Sequence, residues 1–189
     1  MILRNRGAKT PLLSVDLTPA RVALNLRERG AVFPCKWCSV AEIYTNGPIV
    51  FENMETTTPG IFACGNVVHV HDLVDYVSEE AAAAGEHAAA YIAGGGAAAG
   101  RTLPVRCENG VRYTVPTTIR PDCAGDTVTL RFRVGSVYKN KKIAVYRGTD
   151  CIYSRKRPVL APGEMETVRL KAELLRGPGD AVTVTLEEG

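Results

Sequence analysis

The sequence predicts an α/β segment followed by an all-β antiparallel sandwich domain, and three observations support this division. An apolar run at residues 61–64 precedes a glycine and a long alanine-rich stretch, which is the order of a buried strand, a turn and a helix. Residues 94–100 contain only glycine and alanine, which is typical of a flexible linker. Beyond them, apolar and polar residues alternate with the period of β-strands. We therefore expect an N-terminal domain over 1–96, a linker over 97–101 and a β-domain over 102–189.

The composition excludes several classes of protein. The 189 residues are 46% hydrophobic and 23% charged, which is ordinary for a globular protein, and the net charge of +3 does not indicate a nucleic-acid surface. No apolar run approaches the roughly 20 residues of a membrane span. The N-terminus lacks the apolar core of a signal peptide. We therefore expect a cytoplasmic protein, without nucleic-acid or membrane partners, in which the six cysteines are reduced.

Residues 1–46 are the least defined part of the predicted N-terminal domain. They contain Cys35-Lys-Trp-Cys38, and a CxxC motif serves either as a redox dithiol or as half of a zinc site. A zinc site needs two further ligands, and no second pair of cysteines or histidines lies nearby, so we predict no metal site. Two incidental thiols are the favoured interpretation, and a redox dithiol is the alternative.

Residues 59–67 form the stretch around which the N-terminal half is organised. Pro59-Gly60 predicts a turn, and the apolar run that follows predicts a buried strand that Gly65-Asn66 ends. A helix is expected over residues 76–93, where apolar residues recur at three- and four-residue steps. A strand, a glycine turn and a helix together present backbone N–H groups and a positive helix dipole to an anionic ligand. The predicted ligand-binding residues are Cys64, Gly65, Asn66, Val67, Ser78 and Glu79.

The same stretch resembles a motif of a known family. Residues 58–67, TPGIFACGNV, resemble the second FAD-contact motif of the pyridine-nucleotide:disulfide oxidoreductases and their thioredoxin-reductase-like relatives. In that family the motif ends in an aspartate, which hydrogen-bonds the ribityl hydroxyls of FAD, and Asn66 stands in its place. An asparagine retains an acceptor oxygen and adds donors. The run over 65–90 is most similar to flavoprotein dehydrogenases encoded beside glycerol-3-phosphate-oxidase-like proteins.

The resemblance implies a partial, Rossmann-like FAD-binding segment. The GxGxxG motifs that hold the pyrophosphates of FAD and NAD(P) in such enzymes do not occur in the sequence. We therefore expect the C-terminal part of an FAD-dependent, NAD(P)-linked oxidoreductase, which a missing N-terminal half or a partner subunit would complete. NAD(P) would bind only the intact enzyme, and the chain alone would be inactive. The alternative is a non-catalytic interaction module that retains a remnant of the flavin motif.

Two histidines follow the motif directly. His69 and His71 alternate with valines, which indicates an extended loop before the helix. One hypothesis places them near the flavin, where a histidine would adjust its charge or assist proton transfer. The alternative is that both histidines hydrogen-bond the backbone of their own loop.

The last 90 residues predict short strands separated by turn residues, without any histidine. In the strand over 127–134, Val128, Leu130, Phe132 and Val134 are expected to face inward, and the alternating threonines and arginines to face water. Basic residues of this half form either a docking patch or, as we favour, an ordinary solvated face. The predicted strands lie at 111–115, 127–134, 142–146, 151–153, 166–171 and 181–186.

Overall fold

The structure, a computed structural model, describes residues 31–33, 48–94 and 100–189, the first of these ranges by its backbone alone. The chain divides into two compact units, Met1–Ala97 and Ala98–Gly189. The CxxC motif, Cys35 to Cys38, lies outside the described residues, so its redox hypothesis stays a prediction.

The N-terminal unit contains a parallel strand pair and a long helix. Strand β1 (Ala31–Phe33) pairs in parallel with β2 (Ile61–Ala63). A 3₁₀ turn at Gly65–Val67 follows β2, and helix α1 (Val74–Gly94) follows the turn. Strand β1 lies within the segment that the sequence left undefined, where three residues are too few to show a periodic pattern.

Helix α1 runs back along β2. Near its C-terminal end, the ring of Tyr91 lies edge-on to the buried Phe62 of β2, with 5.9 Å between the ring centroids. The same tyrosine closely approaches Gly60, just before the strand. Near the N-terminal end of the helix, Val77 contacts Gly65 in the turn after the strand. The helix therefore spans the whole strand and reaches the turn at its carboxyl end.

The C-terminal unit is β-rich and consists of two sheets. The larger sheet has the order β5-β3-β10-β7-β8, and the smaller has the order β4-β6-β9. Both sheets contribute side chains to one hydrophobic core, in which Leu130 and Phe132 of β6 are fully buried with Val145 of β7 and Val184 of β10. The strands are β3 (Leu103–Cys107), β4 (Val111–Val115), β5 (Thr118–Ile119), β6 (Thr127–Val134), β7 (Tyr138–Arg147), β8 (Asp150–Leu160), β9 (Glu166–Lys171) and β10 (Val182–Glu188).

Two details of the predicted β-domain are wrong. Strands β3 and β10 pair in parallel, so the larger sheet is mixed and not purely antiparallel. In β6 the four apolar side chains are buried as expected, but Arg131 is also buried, at 8% exposed, instead of facing water. Period-two alternation assigns residues to faces, but it cannot show that the second face of a strand is also covered.

Candidate functional site

The site is built on the turn at the carboxyl end of β2. Gly65 has a φ of +71°, a left-handed conformation that glycine adopts without the penalty of a Cβ atom. A Cβ atom at this position would also lie 3.3 Å from Cγ1 of Val77 on α1. The carbonyl oxygen of Gly65 accepts hydrogen bonds from the N–H groups of Val68 and His69, at 2.9 and 3.2 Å. A glycine is therefore needed here both for the turn and for the close approach of the helix.

Glu80 connects the helix to this turn. Its side chain enters from the second turn of α1, and the residue is 1% exposed. The N–H of Gly65 donates to its Oε2 at 2.6 Å. We expected that N–H to face a ligand, and it is instead satisfied within the protein. The carboxylate thus occupies the place that an anionic ligand would take at the Gly65 N–H.

Both histidines converge on the same carboxylate. Nε2 of His69 lies 3.1 Å from Oε1 of Glu80, and Nε2 of His71 lies 3.0 Å from Oε2. The two rings meet edge-on, with 4.3 Å between their centroids. Val70 between them points outward and is 65% exposed. The alternation seen in the sequence therefore places both imidazoles inward and the valine outward.

The cluster of His69, His71 and Glu80 is shielded from solvent, since the three side chains are at most 1% exposed. Burial by itself raises the pKa of Glu80. The hydrogen bonds to the two histidines, the charge of His69 and the Gly65 N–H together outweigh burial and lower that pKa to about 2. Glu80 is therefore ionised at neutral pH despite its burial.

Cys64 directly follows β2, beside this cluster, and is fully buried. Burial, reinforced by the negative charge of Glu80, raises the pKa of its thiol to about 11. A thiol is a nucleophile and a metal ligand only as the thiolate. Cys64 is consequently protonated at neutral pH and acts as a small apolar residue.

The structure separates the six predicted ligand-binding residues. Asn66 is exposed at the turn, and its Oδ1 accepts the backbone N–H of His71 at 3.3 Å. Ser78 and Glu79 are exposed on α1. They lie in its second turn, since the helix begins two residues earlier than predicted. The Ser78 hydroxyl donates to the carbonyl oxygen of Val74 at 3.2 Å. Cys64, Gly65 and Val67 are buried.

Glu80 is the site residue that the sequence analysis missed. An acidic residue near the start of a helix is ordinarily solvated and favours the helix dipole. It lies instead in the stripe of buried positions with Ala84 and Ala88, four and eight residues later. An acidic residue at the head of an otherwise apolar i, i+4, i+8 series, after a His-x-His pair, is the signal that could have identified it.

Comparisons with known proteins returned no match to this chain, whether to a family model, a curated protein or a solved structure. Within the described ranges, no helix combines the length and apolar character that crossing a lipid bilayer requires.

Proposed function

We propose that this chain is the C-terminal part of an FAD-dependent, NAD(P)-linked oxidoreductase, and that its N-terminal unit supplies the wall facing the ribityl chain of FAD. The observation that carries the proposal is the position of Asn66. It is exposed on the glycine turn at the carboxyl end of a strand in a parallel pair. Ligands of open α/β sheets bind at that end of the strands. Asn66 is also the residue that the flavin motif places on the ribityl hydroxyls.

The turn offers the kind of polar group that the ribityl chain of FAD would require. The carboxamide of Asn66 offers both donors and an acceptor, as a chain of sugar hydroxyls requires. The Gly65 N–H is occupied by Glu80, and polar recognition at this turn therefore depends on Asn66. The strand pair and helix make the unit a candidate for a partial Rossmann-like segment.

The bound flavin would supply the hydride chemistry, accepting a hydride from NAD(P)H. This chain would hold and orient the ribityl chain through Asn66. The cluster of His69, His71 and Glu80 would keep the loop after the turn in place, since His71 is joined to both Asn66 and Glu80. The side chains of the cluster are almost completely buried, and we assign them a positioning role.

A second candidate is a non-catalytic interaction module, in which the β-rich unit, a candidate β-sandwich, mediates assembly. Strand β8 favours it, because it is 11 residues long and lies at the edge of the larger sheet. Edge strands are templates for pairing with another chain. The exposed Arg155 and Lys156 of β8 would favour an acidic partner, although the same charges also protect an edge against aggregation.

Flavin binding tests the first candidate. The purified chain, alone and mixed with an N-terminal segment that carries a GxGxxG motif, should be titrated with FAD and followed by the quenching of flavin fluorescence. We expect binding in the mixture, loss of at least about 1 kcal/mol of affinity in Asn66→Ala, and retention in Asn66→Asp, which restores the acid of the motif. Glu86→Gln, at an exposed position of α1, is the control.

Equal affinity of the Asn66→Ala and control variants for FAD would contradict the assigned role of Asn66. Absence of any flavin binding in the mixture would favour the interaction module. Cross-linking of the chain to an acidic partner through β8 would support that second candidate directly.

A further inference from the structure

We propose that His69, His71 and Glu80 bind one divalent transition-metal ion. The inference concerns only the interior of the N-terminal unit and does not depend on the flavin proposal. It departs from our sequence-based expectation of no metal site, which rested on the lack of ligands near Cys35 and Cys38. The three residues are separate in the sequence by up to 11 positions, and only folding brings them together.

The geometry of the donor atoms supports a single ion. One ligand atom from each of the three residues lies within 4.8 Å of the others. Bonds of about 2.1 Å from nitrogen and oxygen to a zinc ion place two donors at most about 4.2 Å apart. Two donors of a tetrahedral site lie about 3.4 Å apart, so the most distant pair of the cluster would have to approach by up to about 1.4 Å to close around one ion. Each imidazole already directs Nε2 toward the carboxylate.

The surroundings hold the Glu80 carboxylate and the backbone of the histidine loop, whereas Nδ1 of the His71 ring is buried without a hydrogen-bond partner. The Gly65 N–H donates to Glu80 Oε2 at 2.6 Å, and the His71 N–H donates to Asn66 Oδ1 at 3.3 Å. Outer contacts of this kind fix the orientation of ligating groups and raise metal affinity. The three side chains are at most 1% exposed, so an ion held here would exchange slowly with solvent.

The donor set selects the kind of ion. Two imidazoles and one carboxylate suit Zn²⁺ and Fe²⁺, whereas Mg²⁺ and Ca²⁺ prefer oxygen ligands alone. Three protein ligands leave at least one coordination position for water or another small ligand. The loop with the histidines and the helix with Glu80 would both be attached to the ion. We therefore assign it the task of fastening the turn after β2 to α1.

Metal binding by the full chain tests the proposal. Chelator-treated protein should be titrated with Zn²⁺ in the presence of a chromophoric chelator that competes for the ion. Separate titrations should use Fe²⁺ under anaerobic conditions and Mg²⁺. We expect one equivalent of Zn²⁺ or Fe²⁺ and no competition from Mg²⁺. Cys35→Ser/Cys38→Ser should bind as the unmodified chain does, which separates this site from the CxxC motif. The decisive comparison is His71→Asn, expected to bind at least about tenfold more weakly.

The chain offers a matched control, because its third histidine, His87, is exposed on the same helix. His87→Asn should leave affinity unchanged. Circular dichroism identifies any variant that fails to fold. Co²⁺ substitution in the unmodified chain provides a second measurement, since bound Co²⁺ with two nitrogen ligands gives a visible d–d spectrum and a shift of the histidine resonances.

Several outcomes would overturn the proposal. They are a stoichiometry well below one, loss of binding in Cys35→Ser/Cys38→Ser, equal affinities of His71→Asn and His87→Asn, or a Co²⁺ spectrum without histidine shifts. In each case the cluster of His69, His71 and Glu80 is a metal-free hydrogen-bonded network. None of these readouts requires flavin, so failure here leaves the FAD proposal untouched.

Discussion

Buried carboxylates are held differently in the two units. In the N-terminal unit, two imidazoles and a backbone N–H contact the carboxylate of Glu80. The side chains of Glu80 and both histidines are hidden from solvent. In the C-terminal unit, Glu166 at the start of β9 pairs at 2.6 Å with Arg157, whose side chain remains 25% exposed. A buried polar network is weak evidence for stability, because desolvation opposes the attraction. The two carboxylates therefore differ in how completely their partners are shielded from water.

The largest effect is expected from the apolar core of the C-terminal unit. Phe132 is fully buried in it, and Phe132→Ala should lower the free energy of unfolding by about 3–5 kcal/mol. Urea denaturation followed by circular dichroism measures this change. The control is Val137→Ala, at 62% exposed, which should stay within about 0.5 kcal/mol. A loss below about 1 kcal/mol for Phe132→Ala would contradict the central place of Phe132 in this core.

The second effect concerns the network of the N-terminal unit. Glu80→Gln keeps the size of the side chain but removes the charge that both histidines contact, and we expect a loss of about 1–3 kcal/mol. Glu79→Gln changes the exposed neighbour and should be neutral. Equal stability of the two variants in urea denaturation would mean that the cluster does not hold the unit together.

Protonation of Glu80 at low pH should destabilise the unmodified chain as Glu80→Gln does. The pKa of Glu80 is about 2 in the folded protein, below its ordinary value of 4.5. Between these values the unfolded chain binds more protons, so the contribution of Glu80 is fully present above about pH 4.5 and is lost as the pH falls toward 2. Urea midpoints measured across this window should fall more steeply for the unmodified chain than for Glu80→Gln. Parallel curves would contradict the lowered pKa.

A smaller effect is expected at the turn. Gly65→Ala introduces a Cβ atom at a φ of +71° and 3.3 Å from Val77, and should cost about 1–2 kcal/mol. Adding Val77→Ala removes the contact but not the backbone strain. The double variant, corrected for the cost of Val77→Ala alone, should therefore recover only part of the loss. Complete recovery in urea denaturation would show that packing, and not the conformation of Gly65, selects glycine.

The sequence predicts the bounds of some strands and only part of others, since β7 and β8 extend well beyond the predicted 142–146 and 151–153. The bounds of β4, β6 and β9 agree with the predicted 111–115, 127–134 and 166–171. Strand β3 was missed because Pro104 lies inside it and proline argues against a strand interior. Strand β5 was missed because it has only two residues.

The site was harder to predict than the strands. The alternation of His69 and His71 with valines indicated an extended loop, but the partner of the two histidines could not be recognised from local sequence. Acidic residues early in a helix are usually solvated, and the only local sign that Glu80 is buried is its place four and eight residues before Ala84 and Ala88. Its contacts to the loop depend on how α1 packs against the turn, a tertiary relation that periodicity does not encode.

The smallest effect on stability distinguishes the influence of a carboxylate's burial from that of the number of its partners. Glu187 of β10 also has two side-chain partners, since Lys142 lies 2.7 Å from its Oε2 and the Tyr146 hydroxyl donates to Oε1 at 2.5 Å. These contacts lower its pKa, as those of Glu80 do. Its side chain is nevertheless 28% exposed, and water and salt screen such contacts. Glu187→Gln should therefore shift the urea midpoint much less than Glu80→Gln, and high salt should remove the remaining difference from the unmodified chain. Equal shifts for the two substitutions would mean that the number of partners, and not their burial, determines what a carboxylate contributes to this fold.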